Sequence, residues 1–274
     1  MANHHFGELG DVWKHLPLAE LLVLDPPRHY WETHAGTESY LLEPSPTRRH
    51  GALRFLAHAP ADPDLADCAY LKLLTSMPRR YPGSGAVAFT LLGSETRYLL
   101  CDLDPESVRS LRAASVGLDA RICETDGVAA IAAEAERRAV DPARVLVLID
   151  PFDPHARASP DAPTPLELAA DLARAGYRVC YWYGYDSLAQ RGWAHAVLAR
   201  AVPRTRLWCG DIVFPAAHVY PDRAGAWGCG IVLANASEAA GAACDRLGRA
   251  LERISRDNRA RGNRPECLSF EALS

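Results

Sequence analysis

Val145-Leu146-Val147-Leu148-Ile149-Asp150-Pro151-Phe152 opens with five consecutive aliphatic residues and closes on an acid, a proline and a phenylalanine. A run this short and this apolar reads as a β-strand. Amphipathic helical patterns flank it, Val128 to Arg138 before and Leu166 to Ala175 after. The same rhythm continues outward. Strand-like runs fall at Tyr30 to Thr33, Arg97 to Leu103, Ala120 to Cys123, Arg178 to Tyr183, Leu207 to Phe214 and Gly228 to Leu233. Helical patterns cover Glu106 to Ala114, Ser187 to Arg200 and Glu238 to Ile254. Strands alternating with helices predict an α/β fold with a doubly wound, mainly parallel sheet.

Two stretches depart from that alternation. Residues 40–93, rich in proline and short helical pieces, are too long for a plain connection and predict an inserted helical subdomain over the strand ends. The Pro-rich stretch Asp153 to Pro165 predicts a mobile loop. Val12, Leu16, Leu18, Leu21 and Leu22 lie near one face of an N-terminal helix, so most of that helix is packing. The expectation is one domain over residues 1–274.

With 30 Lys and Arg against 34 Asp and Glu, the formal net charge is -4. A dedicated nucleic-acid binder usually carries a basic excess, because displaced counterions drive its affinity. Basic residues cluster only locally, at Arg48-Arg49, at Arg79-Arg80 and between Arg253 and Arg264. The eight cysteines are scattered and lack metal-ligand or redox spacing, so they read as small buried hydrophobes in a reduced, cytoplasmic protein. The N-terminus has histidines where a signal peptide would need an apolar core, and no stretch approaches a membrane span. The histidines do not form a His-x-x-x-His pair with an acid, so no metal is expected.

Ligands of such sheets bind at the carboxyl ends of the strands. There the sequence places Thr33-His34-Ala35-Gly36, Cys101-Asp102-Leu103-Asp104, Glu124-Thr125-Asp126-Gly127 and Ile149-Asp150-Pro151-Phe152. Gly36 permits a sharp turn and close backbone approach. Asp102 is suited to ribose hydroxyls, and the acid of the third run to an adenine amino group or nearby backbone. Each acid alone is more often a helix N-cap. In this order the set points to a nucleoside site. A dehydrogenase is the main competitor, but the full Gly-x-Gly-x-x-Gly fingerprint is missing after Gly36, where Thr37 and Glu38 follow. An anionic Glu38 disfavours a pyrophosphate, whereas a cationic, phosphate-free sulfonium nucleoside, S-adenosylmethionine, suits an acidic ring.

Asp11-Val12-Trp13-Lys14-His15, Thr33-His34-Ala35-Gly36, Tyr81-Pro82-Gly83-Ser84, Asp126-Gly127, Leu148-Ile149-Asp150-Pro151 and Tyr181-Trp182-Tyr183 follow one another in a recognisable order and spacing. In them, from about His5 to Asn235, the sequence resembles the large-subunit ribosomal RNA adenine-N6 methyltransferases. The resemblance implies a seven-stranded class I methyltransferase (Rossmann-like) sheet with a small helical insertion, and S-adenosylmethionine as cofactor. By position it implies that Lys14, His15, His34, Ser84, Asp102, Asp126 and Asp150 line the cofactor and the methyl-transfer point. Gly36, Leu103 and Gly127 complete the expected cofactor set.

The departures carry a second message. The family's Asp-Pro-Pro-Tyr is Asp150-Pro151-Phe152-Asp153 here, its usual N-terminal Asn falls on Glu8, and its second glycine after Gly36 is Glu38. In these departures the sequence is similar to actinobacterial methyltransferases that modify indole C3 of tryptophan-derived amides and close a pyrroloindoline ring. The leading expectation is therefore a small aromatic acceptor, with indole C3 as the specific choice and ribosomal RNA adenine-N6 methylation as the alternative. A non-catalytic nucleoside- or RNA-binding module is the third reading. Glu8 and Asp150 are the candidate catalytic residues, Glu8 as the group accepting from an indole N–H. His5, Phe152, Trp182, Tyr183 and Tyr185 are the candidate acceptor-binding residues, flat rings being suited to stack on an indole. Alternation along the strand is expected to bury about half of the aromatic cluster.

Overall fold

The computed structural model describes residues 6–187, 189–190, 192–214, 228–255 and 268–273. In chain order its elements begin with α1 (Leu9–Leu24), β1 (His29–Glu32), β2 (Ser39–Leu41), α2 (Pro46–His50), α3 (Ala52–His58), α4 (Ala69–Ser76), β3 (Arg80–Pro82) and α5 (Ser84–Leu92). They continue with β4 (Arg97–Asp102), α6 (Pro105–Ala114), β5 (Ala120–Glu124), α7 (Gly127–Glu136), β6 (Val145–Ile149), α8 (Pro165–Arg174), β7 (Arg178–Tyr185) and α9 (Trp193–Leu198). The last are β8 (Leu207–Val213), β9 (Gly228–Ala234), α10 (Glu238–Ser255) and β10 (Ser269–Leu273).

Eight strands form one sheet in the order β10-β8-β9-β7-β6-β1-β4-β5. The pairs β7–β6, β6–β1, β1–β4 and β4–β5 are parallel, and β7–β9, β9–β8 and β8–β10 are antiparallel. Period-2 geometry sends alternate side chains into two cores. From β6, Leu146 and Leu148 enter the core that holds residues of α1, α5, α6 and α10. Val145, Val147 and Ile149 enter the other, beneath α7, α8 and α9. Helices on both faces explain why β6 is apolar throughout, and the doubly wound fold is as expected.

Three local expectations are corrected. The main sheet has eight strands rather than seven, because Ser269–Leu273 adds an antiparallel strand beside β8. The helix expected from Ser187 to Arg200 is confined to Trp193–Leu198, preceded by Gly192 at φ +71°. Within the stretch after β1, β2 and β3 pair as an antiparallel ribbon in addition to the expected short helices. Among the described residues, no helix is long and apolar enough to cross a membrane. The seven described cysteines are all free thiols.

Candidate active site

A cavity of about 1370 Å³ opens where β1, β4, β5, β6 and β7 end, and the start of α1 forms one wall. His34 and Gly36 follow β1, Asp102 ends β4, Leu103 follows it, Asp126 and Gly127 follow β5, and Asp150 and Phe152 follow β6. All of them line the cavity. Glu8, Lys14, His15, Ser84, Trp182, Tyr183 and Tyr185 line it as well, whereas His5 lies outside the described residues.

On the side formed by β1, β4 and β5, carboxylates are held by backbone N–H groups. Asp102 accepts from Gly36 N at 2.7 Å and from Asp104 N at 2.8 Å. Asp126 caps α7, accepting from Ala129 N at 2.8 Å. The acid expected at an adenosine site is therefore a helix cap that also lines the cavity. Gly36 adopts φ +62°, a left-handed conformation that favours glycine. At Gly127 an added Cβ would stand 1.9 Å from Thr33 O, so the two chain segments approach at a distance that only glycine allows. Among the described residues neither Asp102 nor Asp126 is ion-paired, and Lys14 is the only Lys or Arg lining the cavity. Glu8, Asp11, Asp102, Asp104, Asp126, Asp150, Asp153 and Asp186 all line it. This glycine-lined floor with carboxylates and few cations fits a positively charged nucleoside better than a pyrophosphate.

On the α1 side, side chains hold one another across long chain separations. Lys14 Nζ lies 2.5 Å from Asp150 and 3.3 Å from Asp11. Burial disfavours the Lys14 ammonium, but Asp150 and Asp11 outweigh it and push its pKa above the usual lysine range. Burial raises the Asp11 pKa against the pull of Lys14, and Asp150 and Glu8 add to the rise. Lys14, expected to line the cofactor, is thus engaged with two carboxylates of the protein. Its Nζ also lies 5.9 Å from the centre of the Trp182 ring. Glu8 is the N-cap residue of α1 and only 8% exposed, so its position at a helix start and its place in the cavity wall coincide.

His15 is buried, and its Nδ1 shares a hydrogen bond of 2.9 Å with Tyr81. Burial, reinforced by Lys14, holds its pKa well below the ordinary value. Burial also lowers the His34 pKa, against Asp150, Asp102 and Asp126, and Thr33 Oγ1 lies 2.7 Å from its Nδ1. Ser84 donates to Glu32, which also accepts from Tyr30 at 3.1 Å. Glu32 is fully buried, and desolvation outweighs these hydroxyl donors to raise its pKa to about 8.

The aromatic cluster divides by strand geometry. Tyr181, Tyr183 and Tyr185 share one face of β7 and are buried, while Trp182 packs on the opposite core. Tyr183 donates to Asp211 at 2.6 Å and Tyr185 to Ile212 O at 3.1 Å, so both hydroxyls are committed within the protein. Phe152 is 86% exposed on the rim.

Sequence reasoning did not pick out Phe6, Tyr40 or Glu32. Phe6 and Tyr40 line the cavity and stack at 4.4 Å with planes 12° apart. Neither has a local motif to mark it. Glu32 had one usable signal, a carboxyl inside the apolar run Tyr30-Trp31-Glu32.

A family model described as "Ribosomal RNA large subunit methyltransferase D, RlmJ" matches residues 25–161, half of the chain. The solved structure of protein LPL1258 from Legionella pneumophila str. Philadelphia 1 has a TM-score of 0.76 at 21% identity, over 98% of each chain, and shares the fold. A SAM-dependent methyltransferase from Agrobacterium tumefaciens has a TM-score of 0.45 at 12% identity, over 81% of this chain and 61% of its own. No curated protein matches the sequence.

Proposed function

Because this chain belongs to the ribosomal RNA large subunit methyltransferase D family and is an S-adenosylmethionine-dependent methyltransferase, we propose that its acceptor is an adenine N6 amino group in RNA. The single observation that carries this reading is the family match over residues 25–161, a span that includes Asp150. It supports the RNA alternative over the small indolic acceptor that the sequence departures favoured.

S-adenosylmethionine, when bound, supplies an electrophilic methyl carbon on a positively charged sulfur. Asp102 and Asp126 would hold its ribose and base, with Gly36, Leu103 and Gly127 forming the floor. His15, His34 and Ser84 would take its polar end. Asp150 would accept one N–H of the adenine amino group, aligning the nitrogen lone pair, and take the proton after the N–C bond forms and the S–C bond breaks. Lys14, 2.5 Å from Asp150, would orient it. Phe152 on the rim and Trp182 inside would bracket the planar base.

A small aromatic acceptor, such as indole C3 in a tryptophan-derived amide with pyrroloindoline closure, is the second reading. The observation favouring it is the carboxylate-rich wall, with Glu8 as the group that would accept from the indole N–H and Tyr183 and Tyr185 behind the ring. One assay separates the two. The protein is incubated with methyl-labelled S-adenosylmethionine and either unmodified ribosomal RNA or indolic amides, and the products are digested and resolved. Label in N6-methyladenosine is expected. Label in the indole alone, with none in RNA, would reverse the ranking.

A further inference from the structure

The carboxylate wall presents a problem for a phosphate-bearing acceptor, since a phosphodiester drawn inside would face like charges. A target base would have to enter while its flanking phosphates stay outside, where cations should be waiting for them. Immediately beside the cavity the fold gathers such cations from two distant parts of the sequence.

Arg48 and Arg49 lie on α2, Arg79 lies in the turn just before β3, and Arg80 opens β3. Pairing of β2 with β3 sets Leu41 opposite Arg80, and Leu42 N donates to Arg79 O at 2.8 Å. The neighbouring residue, Glu43, accepts at its carbonyl from Arg48 Nη1 at 3.2 Å. Arg48, Arg79 and Arg80 therefore meet on residues 41–43, and Arg49 is the next residue after Arg48 on α2.

Arg48 ties the group to the cavity. Its guanidinium lies 3.8 Å from the centre of the Phe6 ring, and its Nε donates to Phe6 O at 3.2 Å. Phe6 in turn stacks on Tyr40 in the cavity wall. Arg80 is taken up by Ser39 and by Glu38, the latter at 3.6 Å. Arg49 and Arg79 differ. Both are exposed, and neither side chain forms a hydrogen bond or ion pair with the described residues. Arg79 also holds φ +63°, a left-handed conformation that non-glycine residues adopt rarely.

We infer that Arg49 and Arg79 form a phosphate-contacting surface that grips the RNA backbone beside the target nucleotide, while the neutral base alone enters the acidic cavity. Arg48 and Arg80 are the structural members of this surface and link it to the cavity wall. The inference rests on the RNA reading of the acceptor and adds to it where on the protein the backbone lies.

The test is fluorescence anisotropy with a labelled, adenine-containing RNA stem-loop, titrated at several salt concentrations against the full chain and the double variant Arg49→Ala/Arg79→Ala. Loss of two phosphate contacts is expected to weaken binding about tenfold at low salt and to lower the log–log salt slope by about 1 to 2. Affinity for S-adenosylhomocysteine by calorimetry and the melting temperature should be unchanged, which separates a lost contact from a damaged fold. Arg49→Lys/Arg79→Lys should keep most of the slope. If the protein methylates RNA but the alanine pair binds RNA with the parental affinity and slope, the surface is wrong and the RNA reading survives. If the parent binds no RNA and methylates an indolic amide, both fall.

Discussion

The two sides of the cavity hold their carboxylates in different ways. Beyond β4 and β5, Asp102 and Asp126 are fixed by backbone N–H groups: Asp126 by Ala129 N in its own turn, and Asp102 by Asp104 N and, from the loop after β1, by Gly36 N. Beyond β6, Asp150 is fixed by Lys14, 136 residues away in sequence, and Lys14 is shared with Asp11. Backbone donors cannot be substituted away and depend on the path of the chain, whereas a side-chain ion pair can be rebuilt by changing one residue. The first arrangement suits a cofactor common to many enzymes. The second suits the part of a site that differs from one acceptor to another.

The largest effect should come from the α1 side. Asp150→Asn is expected to lower kcat by about 10² to 10⁴-fold, the range of a lost proton acceptor, while S-adenosylhomocysteine binding stays within a small factor. Equal losses of turnover and of cofactor affinity would mean that the two sides are not separable. Lys14→Met comes next. It leaves Asp150 and Asp11 without their cation and should destabilise the protein by about 2 kcal/mol, somewhat less than for a fully buried pair because both partners keep some exposure. Denaturant melts would measure this, and adding Asp150→Asn should recover part of it in a double-mutant cycle; additive losses would deny the coupling.

The smallest effect belongs to the other side. Asp126→Ala removes an N-cap and should cost about 1 kcal/mol, whereas Asp126→Asn, which can still cap, should melt close to the parent. Both variants should weaken S-adenosylhomocysteine binding. If Asp126→Asn binds it as the parent does, Asp126 is a helix cap and nothing more.

The same contrast explains what the sequence made legible. Val145 to Ile149 announces a strand because its five residues fill two cores at once, and Asp102, Asp126 and Asp150 are conspicuous because they follow or end such runs. Ser269–Leu273 gives no comparable signal, since Ser269-Phe270-Glu271-Ala272-Leu273 is short and mixed and becomes a strand only by pairing with β8. Glu32 was passed over because its burial depends on hydroxyls from Tyr30 and from Ser84, 52 residues on. The length of the helix after β7 was overestimated because periodicity does not register the left-handed turn at Gly192. The Lys14–Asp150 pairing was invisible for the same reason as Glu32: a contact between distant segments leaves no mark on spacing.

Strand β6 is gripped from above by one hydrophobic layer and from below by another, and the acid proposed to meet the acceptor is the next residue along. Such a shaft transmits a change in volume on either side, so enlarging or shrinking Leu148 or Ile149 would shift Asp150 without touching the pocket. Attempts to retrain this scaffold for new acceptors would therefore do better to vary the open segment beyond Pro151, where Phe152 projects into water, than to repack the rod that carries it.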